Sequence, residues 1–242
     1  MALKAPPPPF TWNGCYVGID GGGAHGHVRA TDTLGGAWLT TPGVTPAEIA
    51  AIQANGSPTM DDDGLQGGAQ IGCNWQTGPV VFGIEADGSY LGLSNSQFTF
   101  TPAAGGGGNV SNAAAESTNA LFTIRPRLGF AAQNALFYVT GGFAEGHVTF
   151  ADTQTYFATT SAASGQLQRW IGGWTVGGGV EYAIISNWII GAEYLHVDLR
   201  STSFTAPVLP GFATFLDTFS ARFTEDIFRA RVSYKFDWAP IK

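Results

Sequence analysis

The stretch DIFRARVSYKF, residues 226–236, alternates in character without a break. Phe228, Ala230, Val232, Tyr234 and Phe236 fall on one face, and Arg229, Arg231, Ser233 and Lys235 on the other. A period of two specifies a β-strand whose two faces meet unlike environments. It does not say which face meets water. A soluble sandwich would bury the aromatics and wet the arginines. A membrane barrel would do the reverse.

Composition bears on that choice. Charged residues make up only 12% of the 242, against roughly 25% in soluble domains, while there are 34 glycines and 13% aromatics. So many aromatics also exclude a disordered chain. No run approaches the roughly 18 apolar residues of a transmembrane helix, so any crossing must be made by strands. A net charge of −7 with 11 Lys+Arg argues against a nucleic-acid partner. The N-terminus lacks a basic segment followed by an apolar one, so Met1 is read as standing in place of a removed signal peptide. Pro6 to Pro9 predict a short polyproline II spacer.

Alternating segments lie near 12–26, 64–75, 79–93, 118–131, 135–150, 169–184, 188–200 and 221–236. They are joined by short links around Gly78, Gln133 and Ser186, and by long ones over 27–63, 94–117, 151–168 and 201–220. Eight strands with short turns at one end and long loops at the other describe an all-β, antiparallel, up-and-down barrel. The polar faces carry Glu85, Asp87, Glu181 and Glu193 against Arg125, Arg127, Arg229 and Arg231. Charges in a narrow interior must be paired, and four acids with four arginines can neutralise one another. The alternative, solvated charges on a soluble barrel, leaves a surface of glycine and glutamine with few lysines. Trp12, Trp75, Trp188 and Trp238 all fall at the short-turn end, as an interfacial aromatic girdle would. Trp170 is placed to serve the opposite girdle. The aromatics are therefore expected to face lipid and the arginines the lumen.

The segments FTWNGCYVGIDGGG, GLQGGAQIGCNWQTGPVVFGIEAD, RPRLGFA, FYVTGGFAEG, GWTVGGGVEYAI, NWIIGAEYLHVDL and ARVSYKF resemble the small outer-membrane barrels of alphaproteobacteria, the outer-membrane immunogenic or porin-family proteins. The resemblance runs from Trp12 to Phe236 and lapses in the long loops. It implies an OmpA-like eight-stranded barrel in the outer membrane of a Gram-negative cell. It also implies insertion by the outer-membrane assembly machinery and contact with lipid and lipopolysaccharide. A homo-oligomer or an external ligand held by the loops stays open. Phe236 fits the closing aromatic of the family's assembly signal, although DWAPIK follows it. On this reading 1–11 form a proline-rich periplasmic tail, 12–236 the barrel and 237–242 a short extension.

Other candidates are weaker. Cys15 and Cys73 stand at one end of neighbouring strands, where the family more often has aromatics. They can form a disulfide if their Cα atoms lie within roughly 7 Å, or stay reduced as small lipid-facing residues. His25 and His27 make an H-x-H pair with no apparent third metal ligand. Asp61, Asp62 and Asp63 read as a solvated acidic loop. His196 and Asp198 share a strand face near Ser201 and Ser203, without a nucleophile elbow. Residues 45–56, TPAEIAAIQANG, carry a capping box at Thr45 and Glu48 and predict a short helix that folds over the barrel mouth, offers an adhesive surface or simply packs its own loop. No catalytic group, metal or cofactor is expected. The role expected is structural, supporting the envelope and presenting loops, with the lumen plugged by paired charges. The rivals are a small-solute channel, a lipid-modifying enzyme and a soluble ligand-binding barrel.

Overall fold

In the computed structural model the described residues are 10–102, 108–185 and 187–236. The Pro6–Pro9 spacer, Trp238 and the C-terminal extension lie outside them. The strands are β1 (Gly14–Gly36), β2 (Thr59–Thr77), β3 (Val80–Thr101), β4 (Val110–Ala132), β5 (Ala135–Tyr156), β6 (Ser161–Ile185), β7 (Trp188–Leu199), β8 (Thr202–Val208) and β9 (Phe212–Phe236). Each pairs antiparallel with its neighbours, and a pairing of β1 with β9 closes the sheet into a barrel. β7 and β8 pair with successive stretches of β9, Asp198 opposite Thr224 and Thr202 opposite Ala221. They are two halves of one stave, so nine strands occupy eight positions around the barrel.

The strands run far past the expected boundaries. Segments read as long loops, such as 27–36, 94–101 and 151–156, continue the ladder. The reason is visible on β9. From Lys235 to Arg229 the inward residues are polar and the outward ones, Phe236 to Phe228, are apolar. Beyond Asp226 the inward positions keep their parity but become mostly apolar: Phe223, Ala221 and Phe219 are buried, with Glu225 and Asp217 among them, and the outward Thr224, Arg222 and Ser220 are polar. Lipid surrounds the first stretch and water the second. The ten residue-to-residue steps from Phe236 to Asp226 rise roughly 25 Å at the usual tilt, the height of an outer-membrane apolar band. The remaining half of each long strand stands clear of that band as an extracellular barrel with an ordinary apolar core.

After β1 and a 3-10 turn at Ala37–Leu39 comes the α-helix α1 (Pro46–Asn55), with the capping box of Thr45 and Glu48 formed and Pro46 in its first turn. Ile52 is buried in the core of the extracellular barrel. Asn55 is tied down by Thr99, whose hydroxyl donates to its carbonyl at 2.6 Å, and by Thr101, which donates to its side chain at 3.0 Å. The helix thus packs into the barrel rather than standing off it.

Candidate functional site

Every stave contributes to a layer of polar side chains across the membrane-spanning lumen. β3 aims Glu85 and Asp87 inward, β4 Arg125 and Arg127, β6 Glu181, β7 Glu193, and β9 Arg229 and Arg231, each at most 4% exposed. Register sets the first contacts, since Glu85 lies opposite Arg125 and Glu193 opposite Arg229. The rest form across the lumen. Arg125 donates to Glu85 at 2.8 Å, Asp87 at 2.8 Å and Glu193 at 3.2 Å. Arg127 forks onto Glu181 at 2.7 and 3.1 Å. Arg229 donates to Glu193 at 2.8 Å and Asp87 at 3.0 Å. Arg231 reaches Glu193 at 3.0 Å and also binds Glu85. All eight residues of the expected lumen network therefore belong to one connected cluster.

Three members were missed. Asp20 on β1 lies 3.4 Å from Arg229 and accepts from Gln66 on β2. Tyr16 accepts from Arg127 at 2.7 Å and donates to Glu85 at 2.5 Å. Tyr138 does the same between Arg231 at 2.8 Å and Glu193 at 2.9 Å. Each guanidinium thus meets at least two carboxylates, and the phenols bridge further. A buried charge is tolerated in this way, with opposite charge and hydrogen bonds supplied together.

Below the network, at the short-turn end, Trp12, Val81, Leu136, Tyr138 and Ile189 form an apolar cluster. Trp12 is fully buried there, which corrects its assignment to the girdle. The chain enters the barrel before β1 begins, and the indole fills the lumen floor instead of facing lipid. Trp75 and Trp188 are exposed on the outer surface at this end, and Trp170 and Trp174 at the other. Above the network the lumen is mostly apolar, with Leu91, Leu121, Leu195, Val197 and Ile227 all buried, and with Glu116 and Glu225 buried among them.

A family model described as an outer membrane protein beta-barrel domain matches residues 12–236. The chain belongs to that family. The 31 kDa outer-membrane immunogenic protein of Brucella melitensis is 35% identical over 201 residues, covering 81% of this chain and 74% of the relative. The 22 kDa outer membrane protein of Rhizobium leguminosarum is 29% identical over 141 residues, covering 58% and 56%. Among solved structures, Neisserial surface protein A aligns over 93% of this chain and 98% of its own, with 15% identity and a TM-score of 0.35. The protease OmpT of Escherichia coli aligns over 95% and 99%, with 9% identity and a TM-score of 0.40.

The other candidate residues of this outer-membrane barrel are placed as follows. Cys15 and Cys73 lie opposite each other in register and form a disulfide with Cα atoms 3.9 Å apart. Phe236 faces outward beside Tyr234. His196 and Asp198 do not act together: His196 donates to Asp226 at 2.8 Å, while Asp198 accepts from Arg222 at 2.5 and 3.2 Å. Asp61, Asp62 and Asp63 lie in β2 rather than in a loop. Among the described residues, no group of three or more His, Cys, Asp and Glu side chains could enclose a metal ion.

A second polar cluster, absent from the sequence reading, lies in the extracellular half. Asp32, Asp152 and Asp217 project into the core there, each at most 2% exposed. Asp217 accepts from Tyr156 at 2.5 Å and Trp38 at 2.9 Å, and Asp152 from Asn112. Burial, with the charges of Asp217 and Asp152, pushes the Asp32 carboxyl up to about 8. Burial likewise carries Asp152 to about 7 and Asp217 to about 6. The segments holding these acids read as loops because their outward residues are mostly threonine, serine and alanine, small and polar types that resemble loop composition.

Proposed function

We propose that this outer-membrane barrel is a closed, non-catalytic structural element that reinforces the envelope and presents its extracellular barrel and loops to the surroundings. The observation that carries the reading is the succession of buried layers inside the barrel among the described residues. An apolar floor around Trp12, the arginine–carboxylate network, an apolar core and helix α1 succeed one another along the lumen. Eight-stranded barrels are only wide enough for side chains to fill, and a solute would have to displace salt bridges and apolar side chains in turn. The relatives' printed name, outer-membrane immunogenic protein, is consistent with an exposed surface.

The test is removal of the gene followed by two assays on the same cells. Raised sensitivity to detergent with unchanged uptake of small hydrophilic solutes is the expected result. Unchanged sensitivity with slowed uptake would replace this reading with a small-solute channel.

A further inference from the structure

All four histidines of the chain lie on the outer face where the apolar band ends. Cross-strand register puts His196 opposite Asp226, Asp226 opposite His25, and His25 opposite Asp63, a lateral row of alternating imidazole and carboxylate over β7, β9, β1 and β2. One step further from the membrane, His27 lies opposite Asp61. His25 donates from Nδ1 to Asp63 at 2.8 Å and His27 from Nδ1 to Asp61 at 2.5 Å. Both imidazoles stay exposed, with side chains 49% and 40% accessible.

We propose that His25 and His27 chelate one divalent transition-metal ion of the Zn²⁺, Cu²⁺ or Ni²⁺ class through their Nε2 atoms. Residues i and i+2 of a strand share a face and lie roughly 6.5–7 Å apart, within reach of two imidazoles converging on one ion. The carboxylates decide the chemistry of each ring. With the proton held on Nδ1 by an aspartate, the lone pair is on Nε2, which makes no hydrogen bond among the described residues. An imidazole oriented by a carboxylate through its other nitrogen is the usual arrangement in metal sites. Imidazole ligands suit zinc, copper and nickel, whereas calcium and magnesium require oxygen. Asp61, Asp63 and Asp226 surround the pair with negative charge, against which the next outward residue of β1 is Arg29. Two side chains form an open chelate, with water completing the coordination. The other two histidines are single: His147 accompanies Asn119 and Trp170, and His196 accompanies Asp226 and Trp174.

The experiment is titration of the tag-free protein, refolded in zwitterionic detergent at pH 7.5, with ZnCl2 by calorimetry. CuCl2 is followed in parallel by electron paramagnetic resonance. Expected are one saturable equivalent of Zn²⁺ and a copper spectrum showing two coordinated nitrogens. His25→Asn or His27→Asn should weaken binding at least tenfold, and Asp63→Asn about tenfold through loss of the orienting carboxylate. His147→Asn and His196→Asn should change nothing. These side chains are on the surface, and heat-modifiable gel migration verifies that each variant is folded. Unchanged binding in the His25→Asn/His27→Asn double variant, or absence of a saturable equivalent in the parent, would overturn the proposal.

Discussion

Replacing Arg125 by methionine removes a lumen charge paired with three carboxylates while nearly keeping its volume. Arg125 is fully buried, and its carboxylate partners Glu85, Asp87 and Glu193 are at most 2% exposed. Its Nε also donates to Thr123 at 2.9 Å. Without it the three acids share Arg127, Arg229 and Arg231, and the excess of carboxylates over arginines in the cluster, Asp20 included, rises from one to two. Breaking a desolvated pair by removing one partner costs about 3–5 kcal/mol, whereas a solvated pair contributes about 0–1 kcal/mol. The closed lumen predicts the larger figure, roughly a 10²- to 10⁴-fold loss in the folding equilibrium constant. Urea unfolding in detergent micelles, followed by tryptophan fluorescence, measures it. Adding Glu193→Gln to Arg125→Met should recover part of the loss, since it removes one uncompensated acid. A single-variant loss under 1 kcal/mol would mean that water reaches the network, and the dry-plug argument would fail.

Further outcomes follow from the same structure. Trp12→Ala should cost about 3–5 kcal/mol by opening a cavity in the lumen floor, and Trp75→Ala on the lipid face clearly less, in the same assay. Reducing the Cys15–Cys73 disulfide, which closes a 58-residue separation, should lower stability by about 2–4 kcal/mol, read from unfolding with and without reductant. The three buried aspartates of the extracellular half have carboxyls raised to about 8, 7 and 6, so the folded state binds more protons than the unfolded chain above pH 4. Their stabilising contribution is full below about pH 4 and is lost as pH rises toward 8. The unfolding midpoint should fall from pH 5 to pH 8.5, and Asp32→Asn should flatten that slope. An equal slope in parent and variant would refute the assignment.

The parts of this fold that the sequence discloses are those where lipid sharpens the contrast between faces. Arg229 and Arg231 could be assigned to the lumen because Phe228, Ala230 and Val232 flank them. The eight network charges were legible for that reason. Asp20 was not, because it sits within GIDGGG, where glycines on both faces erase the alternation. Tyr16 and Tyr138 read as aromatic, and only their phenol oxygens make them network members. Trp12 was misplaced because an indole at the end of a strand can fill a lumen as readily as it can anchor an interface. The extracellular strands went unrecognised because the pattern there is the ordinary one of a water-soluble barrel. Its outward threonines and serines were mistaken for loop composition. The helix, by contrast, was readable from local chemistry alone, since its capping box depends only on residues three apart.

Single-channel recording in a planar bilayer tests the closed lumen most directly. The refolded parent, verified by heat-modifiable gel migration, should insert and remain electrically silent. Arg125→Ala and Trp12→Ala, which open space in the network and the floor, should introduce intermittent conductance. Steady openings in the parent, absent from a boiled control and altered in ion selectivity by Arg229→Met, would contradict the account and identify the barrel as a pore.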